Sequence, residues 1–189
     1  MRTLRGFDGN TATNSITYTL TNREFMFVDF RAPAAGGSVR IRNNTATMPS
    51  AGSQQLIKFR SRQTNTHTVN LSITNNTISG NATGLPFVDI DSEAAAQVNA
   101  TISTSNIFPN AGAATTVSGG AETAGTSFLC LNVTGNTLNA AGTIGIDQTG
   151  TLRVPQASAA AIATANGIPS GNVTVTGAPA FSQPVCPVP

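Results

Sequence analysis

The chain has 189 residues, of which 10% are charged and 39% hydrophobic, with no Trp and one Tyr. An ordinary soluble domain carries ~25% charged residues; here Thr, Asn, Ala, Gly and Ser fill the difference. That composition excludes a coiled coil or charged helical bundle, and recurring short clusters of Val, Ile, Leu and Phe argue against disorder.

The formal net charge of +2 is too small to steer nucleic acid through a global field, and no nucleic-acid partner is expected. Charge is unevenly placed. Nine of the ten basic residues lie within residues 1–62 beside three acids, whereas residues 63–189 hold Arg153 against five acids. No apolar run reaches the roughly 18 residues that a membrane helix needs, so membrane insertion is not expected. Residues 1–15 show no charged segment followed by an apolar one. An exported protein would therefore stand here in mature form or as part of something longer.

Short alternating segments recur in chain order. Phe7 precedes Gly9-Asn10-Thr11. Phe27-Val28-Asp29-Phe30-Arg31 and a polar turn over 32–37 lead to Val39-x-Ile41 and Asn43-Asn44-Thr45. Leu56-Ile57-Lys58-Phe59-Arg60 and a turn over 61–67 lead to Leu71-x-Ile73 and Asn75-Asn76-Thr77. Phe87-Val88-Asp89-Ile90-Asp91 and a turn over 92–97 lead to a degenerate copy, Val98 to Ile102 and then Ser103-Thr104-Ser105. Leu131-x-Val133 leads to Gly135-Asn136-Thr137, and Ile144-Gly145-Ile146-Asp147 reads as a shortened last copy. Anchored on Phe7, Ile41, Ile73, Ile102 and Val133, the intervals are 34, 32, 29 and 31 residues. The third position after each anchor reads Asn10, Asn44, Asn76, Ser105 and Asn136.

A sandwich has no reason to repeat matching residues at matching positions. A solenoid does, because stacked coils set equivalent side chains ~4.8 Å apart in ladders. The expected fold is all-β, a parallel β-helix of about four to five coils over residues 1–150. Val28, Ile57 and Val88 would form one internal ladder, and Phe30, Phe59 and Ile90 another. Asn suits the sharp turns because it tolerates the left-handed conformation, and its amide can bond to the next coil. Asn43, Asn70, Asn75, Asn81, Asn99, Asn132 and Asn172 also begin glycosylation sequons, which a chain this rich in Asn and Thr produces by chance.

After Gly150 the pattern changes. Residues 155–165 are Ala-rich, open on Pro155 and are followed by Asn166-Gly167, which predicts a helix with its stop signal. A strand over 172–176 and a proline-rich tail complete a predicted cap over 151–189. A terminal coil needs such a cap to cover its apolar face and strand edge. The two cysteines, Cys130 and Cys186, are either a disulfide or two buried thiols. The disulfide is favoured, since it would staple cap to body. Residues 1–8 carry no matching cap signal, which predicts a packing partner at that end or a longer parent chain.

The repeat Asn75-Asn76-Thr77-Ile78-Ser79-Gly80-Asn81 resembles those of right-handed parallel β-helix proteins of the pectate-lyase-like family. A closer resemblance is to the C-terminal ends of large secreted bacterial β-helix repeat proteins. It rests on Cys130-Leu131-Asn132-Val133-Thr134-Gly135-Asn136-Thr137-Leu138, then Leu152-Arg153-Val154-Pro155, residues 157–165, Val173–Val175, Phe181 and Cys186. The resemblance implies export to the bacterial surface and a right-handed helix. It implies no single activity, because the fold hosts enzymes, adhesins and scaffolds alike.

Candidate chemistry is sparse. His67 lies between threonines in a polar turn and reads as solvated. No nucleophile elbow, phosphate loop or zinc-binding cluster occurs, so no metal or cofactor is expected. The expected ladders Asp29, Lys58, Asp89 and Arg31, Arg60, Asp91 would put alternating charges on one outer face. There they would pair Asp29 with Lys58, Lys58 with Asp89, and Arg60 with Asp91, as exposed contacts of ~0–1 kcal/mol. Arg40 and Arg42 point outward and could join Arg60 and Arg62 in a basic strip for an anionic glycan. The expected function is a non-catalytic extracellular solenoid, structural or adhesive. It would associate with itself, end to end or laterally, or with a cell-surface glycan. The alternative is a polysaccharide lyase or hydrolase using the Asp29/Lys58/Asp89/Asp91 face.

Overall fold

The computed structural model describes residues 7–8, 26–31, 36–47, 57–79, 86–103, 106–108, 115–139 and 141–189. These wind into an all-β parallel solenoid of about four turns. Its strands are β1 (Phe7–Asp8), β2 (Met26–Phe30), β3 (Gly37–Arg42), β4 (Thr45–Thr47), β5 (Ile57–Thr74), β6 (Thr77–Ser79) and β7 (Val88–Ser103). They continue as β8 (Ile107–Phe108), β9 (Thr115–Ala121), β10 (Phe128–Thr134), β11 (Thr137–Leu138), β12 (Thr143–Gln148), β13 (Thr151–Arg153) and β14 (Val173–Thr176). Ten form one sheet, and β4, β6, β8 and β11 form a second of four.

The larger sheet has two limbs. β2 pairs with the first part of β5 and β3 with its last part, so β5 runs through a corner, marked by a register irregularity between Gln63 and His67. The second limb follows the sequence repeat: Phe7, Ile41, Ile73, Ile102 and Val133 are successive register partners. The first limb differs from expectation at one step. Ile57 and Val88 are partners, but Val28 lies opposite Phe59 and Met26 opposite Ile57, a slip of two residues. Phe30 therefore faces Ser61 and not Phe59. The reason lies at the corner, where the Phe30 ring stacks on the imidazole of His67, 6.0 Å between centroids. Small Ser61 leaves room for that ring and holds His67 Nε2 through its Oγ at 2.7 Å. His67 is thus buried, at 2% exposure, and not the solvated turn residue that its polar neighbours imply. Gly36 turns the chain into β3 with φ +68, and a Cβ there would overlap the Thr68 carbonyl oxygen.

Every second residue points inward, so Ile57, Phe59, Leu71, Ile73, Ile90, Ile102 and Leu129 are fully buried in one continuous core. One internal ladder runs Val28, Phe59, Ile90, Gly119, Ile146 and Val175. The bare Gly119 rung gives its space to Leu131, whose Cδ2 would lie 2.6 Å from a Cβ there.

The asparagine turns form a second, polar spine. Asn76 Oδ1 accepts from Asn44 N and Nδ2, while Asn76 Nδ2 donates to the Ile41 carbonyl and to Asn106 Oδ1. Asn106 Nδ2 donates to the Ile73 carbonyl and Asn136 Oδ1, and Asn136 Nδ2 to the Ile102 carbonyl and Asn166 Oδ1. Asn10 and Ser105 lie outside the described residues, and the rung expected at Ser105 is filled by Asn106. One extra residue separates Ile102 from its turn, so fixed spacing from the anchor misses the amide.

Residues past 150 continue the stack: β13 pairs with β10, and β14 with β12. Helix α1 spans Ala159–Ala165, shorter than the predicted 155–165, because Ser158 caps it by accepting from Ala161 N at 3.2 Å. Asn166 ends the helix and at the same time supplies the last rung of the amide spine. Its Nδ2 donates to the carbonyls of Val133 and Ile162. Gly167 follows with φ +66. A 3-10 turn, Ser170–Asn172, leads into β14. Cys130 and Cys186 are joined in a disulfide across 56 residues, both buried.

Candidate functional site

The outward residues of the first limb stack in two rows. One runs Phe27, Lys58, Asp89, Ser118 and Gly145; the other runs Asp29, Arg60, Asp91, Gly120 and Asp147. Alternation forces this arrangement, since Ile57, Phe59, Val88 and Ile90 take the interior positions between them.

Lys58 Nζ bridges two carboxylates of the next coil, 2.7 Å from Asp89 Oδ2 and 3.0 Å from Asp91 Oδ2. Arg60 lies opposite Asp91 in register, yet its Nε contacts Glu93 Oε1 at 2.5 Å. Asp29 is held by Arg31 at 2.7 Å and by Arg62 at 3.0 Å. The expected Asp29–Lys58 and Arg60–Asp91 ion pairs are therefore replaced by Asp29–Arg62 and Arg60–Glu93. The two-residue slip moves Asp29 opposite Arg60, and long side chains then reach diagonally. Nor are all these contacts exposed: the Lys58, Asp89 and Asp91 side chains keep only 15%, 10% and 14% of their accessible surface.

The electrostatics follow from that burial. Burial pushes the Asp29 carboxyl up, but hydrogen bonds from Arg62 and Arg31 outweigh it, leaving Asp29 below the usual carboxylate range. Burial disfavours the Lys58 ammonium, and its hydrogen bonds to Asp89 and Asp91 more than restore it. Asp91 sits above its ordinary value through burial and the neighbouring Asp89 charge, partly offset by Lys58. Glu122, next on this face, folds its carboxylate over the bare Gly120 rung. Burial and the charges of Asp91, Asp147, Asp89 and Glu93 raise it too.

Arg40 and Arg42 are exposed, but they lie on the second limb opposite Ser72 and Thr74, around the corner from Arg60 and Arg62. The structure does not gather the four arginines into one strip. Sequence reasoning missed Glu93, Glu122 and Asp147 on this face. Glu93 carried a signal, the i+2 spacing from Asp91. Glu122 did not, because its placement depends on the glycine beneath it. Among the described residues, no group of three His, Cys, Asp or Glu side chains is placed to hold a metal ion. No helix among them is long and apolar enough to cross a membrane. No protein-family model, curated protein or solved structure matches this chain.

Proposed function

We propose that this chain is a structural or adhesive β-solenoid that works outside the cell, akin to the ends of secreted bacterial pectate-lyase-like proteins, without catalysis of its own. One observation carries the reading: Lys58, Arg60 and Arg62 each hold a carboxylate of an adjacent coil. Groups that would otherwise bind or attack a substrate lock the stack together. The Cys130–Cys186 bond supports an oxidising location. The partner is a cell-surface glycan or a second copy of the chain. Incubation with pectin, alginate and chondroitin sulfate, with and without Ca²⁺, should yield no cleavage products, while glycan pull-down or sedimentation should detect the partner. Cleavage that disappears in Lys58→Ala or Asp89→Ala would overturn this reading.

The rival, a polysaccharide lyase or hydrolase, is favoured by one feature. Asp91 and Glu122 stand on one face with carboxyls raised above the usual range, as a general acid requires. The same incubation decides it: cleavage lost in Asp91→Asn and Glu122→Gln supports the enzyme, and no cleavage by the unaltered protein removes it.

A further inference from the structure

We propose that Lys58 and Asp89 become joined by an intramolecular amide bond, formed by the chain itself, which locks β5 covalently to β7. The two residues are direct register partners on adjacent parallel strands and the same sheet face. Their reacting groups touch, with Nζ 2.7 Å from Asp89 Oδ2, and a second carboxyl, Asp91 Oδ2, stands 3.0 Å from the same nitrogen. The three side chains retain 10–15% of their accessible surface. Burial penalises these charges, and the contacts of Lys58 with Asp89 and Asp91 offset that cost by keeping the ammonium; condensation would remove one buried charge of each sign outright.

The acids in this patch outnumber the bases. Asp89, Asp91, Glu93 and Glu122 face Lys58, Arg60 and Arg62, of which Arg60 is held by Glu93 and Arg62 by Asp29. Asp91 and Glu122 are the carboxyls raised there, Asp91 by burial and by the Asp89 charge, and of the two Asp91 is the one in contact with Lys58 Nζ. An amine, an acyl donor and a neighbouring acid to relay protons are the three parts that amide condensation requires.

The step balances without a co-reactant. The Lys58 ammonium gives a proton to the Asp89 carboxylate, and the Asp91 carboxyl donates a hydrogen bond to the remaining Asp89 carbonyl oxygen. The Nζ lone pair then attacks Asp89 Cγ. The C–N bond forms, the C–OH bond breaks, and the departing oxygen takes the second amine proton through Asp91. Ammonium and carboxylate become amide and water, and one buried charge of each sign disappears. Asp91 is the catalytic residue, restored at the end.

The test is the intact mass of the purified full chain, held at neutral pH until constant. After allowance for the two hydrogens lost to the disulfide, it should fall one water below the mass of the sequence. Digestion of the denatured chain with trypsin should leave Lys58 uncut, within a branched peptide that contains Asp89. Lys58→Met and Asp91→Asn should keep the full mass, with circular dichroism confirming that they retain their strands. An unaltered chain of full mass with Lys58 cleaved overturns the proposal, as does a water deficit that persists in Lys58→Met. A deficit retained in Asp91→Asn overturns the role given to Asp91. None of these results bears on the structural role proposed above, which the polysaccharide incubation decides.

Discussion

Asn106 makes more of its side chain than any apolar residue around it. Its amide donates to two backbone carbonyls and to Asn136, while its oxygen accepts from the backbone and side chain of Asn76. Deleting it orphans several buried groups at once, and each costs ~1–3 kcal/mol. Asn106→Ala should lower stability by about 3 kcal/mol or more in urea denaturation. Glu122 offers the opposite case. Its folded-state carboxyl binds a proton at higher pH than the ordinary 4.5. Its stabilising contribution is therefore complete below that unfolded value and is lost as pH rises through the folded one. Glu122→Gln should stabilise the protein at neutral pH, by ~0.2–0.5 kcal/mol because the site is screened. That gain should vanish in acid, which thermal melts at two pH values would show. The residue scale was legible where spacing was regular, as at Asn44, Asn76 and Asn136. It failed where one inserted residue shifted the amide to Asn106. It failed again at His67, whose burial depends on an aromatic partner far back in the chain.

Elements were recovered where apolar alternation is dense. The second limb is in the register that the repeat predicts because Val, Ile and Leu, with Ala100 in β7, occupy its inward positions from β3 onward. The first limb slipped because Val28 and Phe30 both present apolar side chains, and alternation alone cannot choose between registers two residues apart. The corner chose, by offering Phe30 a place beside His67. Strand β9 escaped the sequence repeat altogether, since Gly119 and Gly120 stand where other coils carry Ile90 and Asp91. The helix start was misplaced for a local reason: Pro155 marked a plausible first turn, but the capping oxygen belongs to Ser158. Ser158→Ala should therefore cost about 1 kcal/mol and speed amide exchange in α1 ahead of the sheet, as hydrogen-exchange mass spectrometry would register.

At the scale of the whole molecule, three cross-coil devices run along the axis: an apolar core, the asparagine spine and the ion pairs of the outer face. The disulfide adds a fourth by tying the tail to β10. Closing that loop restricts the unfolded chain by about 4 kcal/mol in the entropy model. Cys130→Ala with Cys186→Ala should lose stability of that order in denaturant titration, the cap exchanging its amides first. All of this requires that segments about thirty residues apart be adjacent strands in one fixed register. Paired cysteines test it most directly. Thr74 and Ser103 are register partners, so Thr74→Cys with Ser103→Cys should oxidise to a disulfide in the folded protein, since adjacent strands lie ~4.8 Å apart. Ser72→Cys with Ser103→Cys, two residues out of register, should stay reduced. Equal cross-linking of both pairs, or of the second alone, would contradict the stacked solenoid.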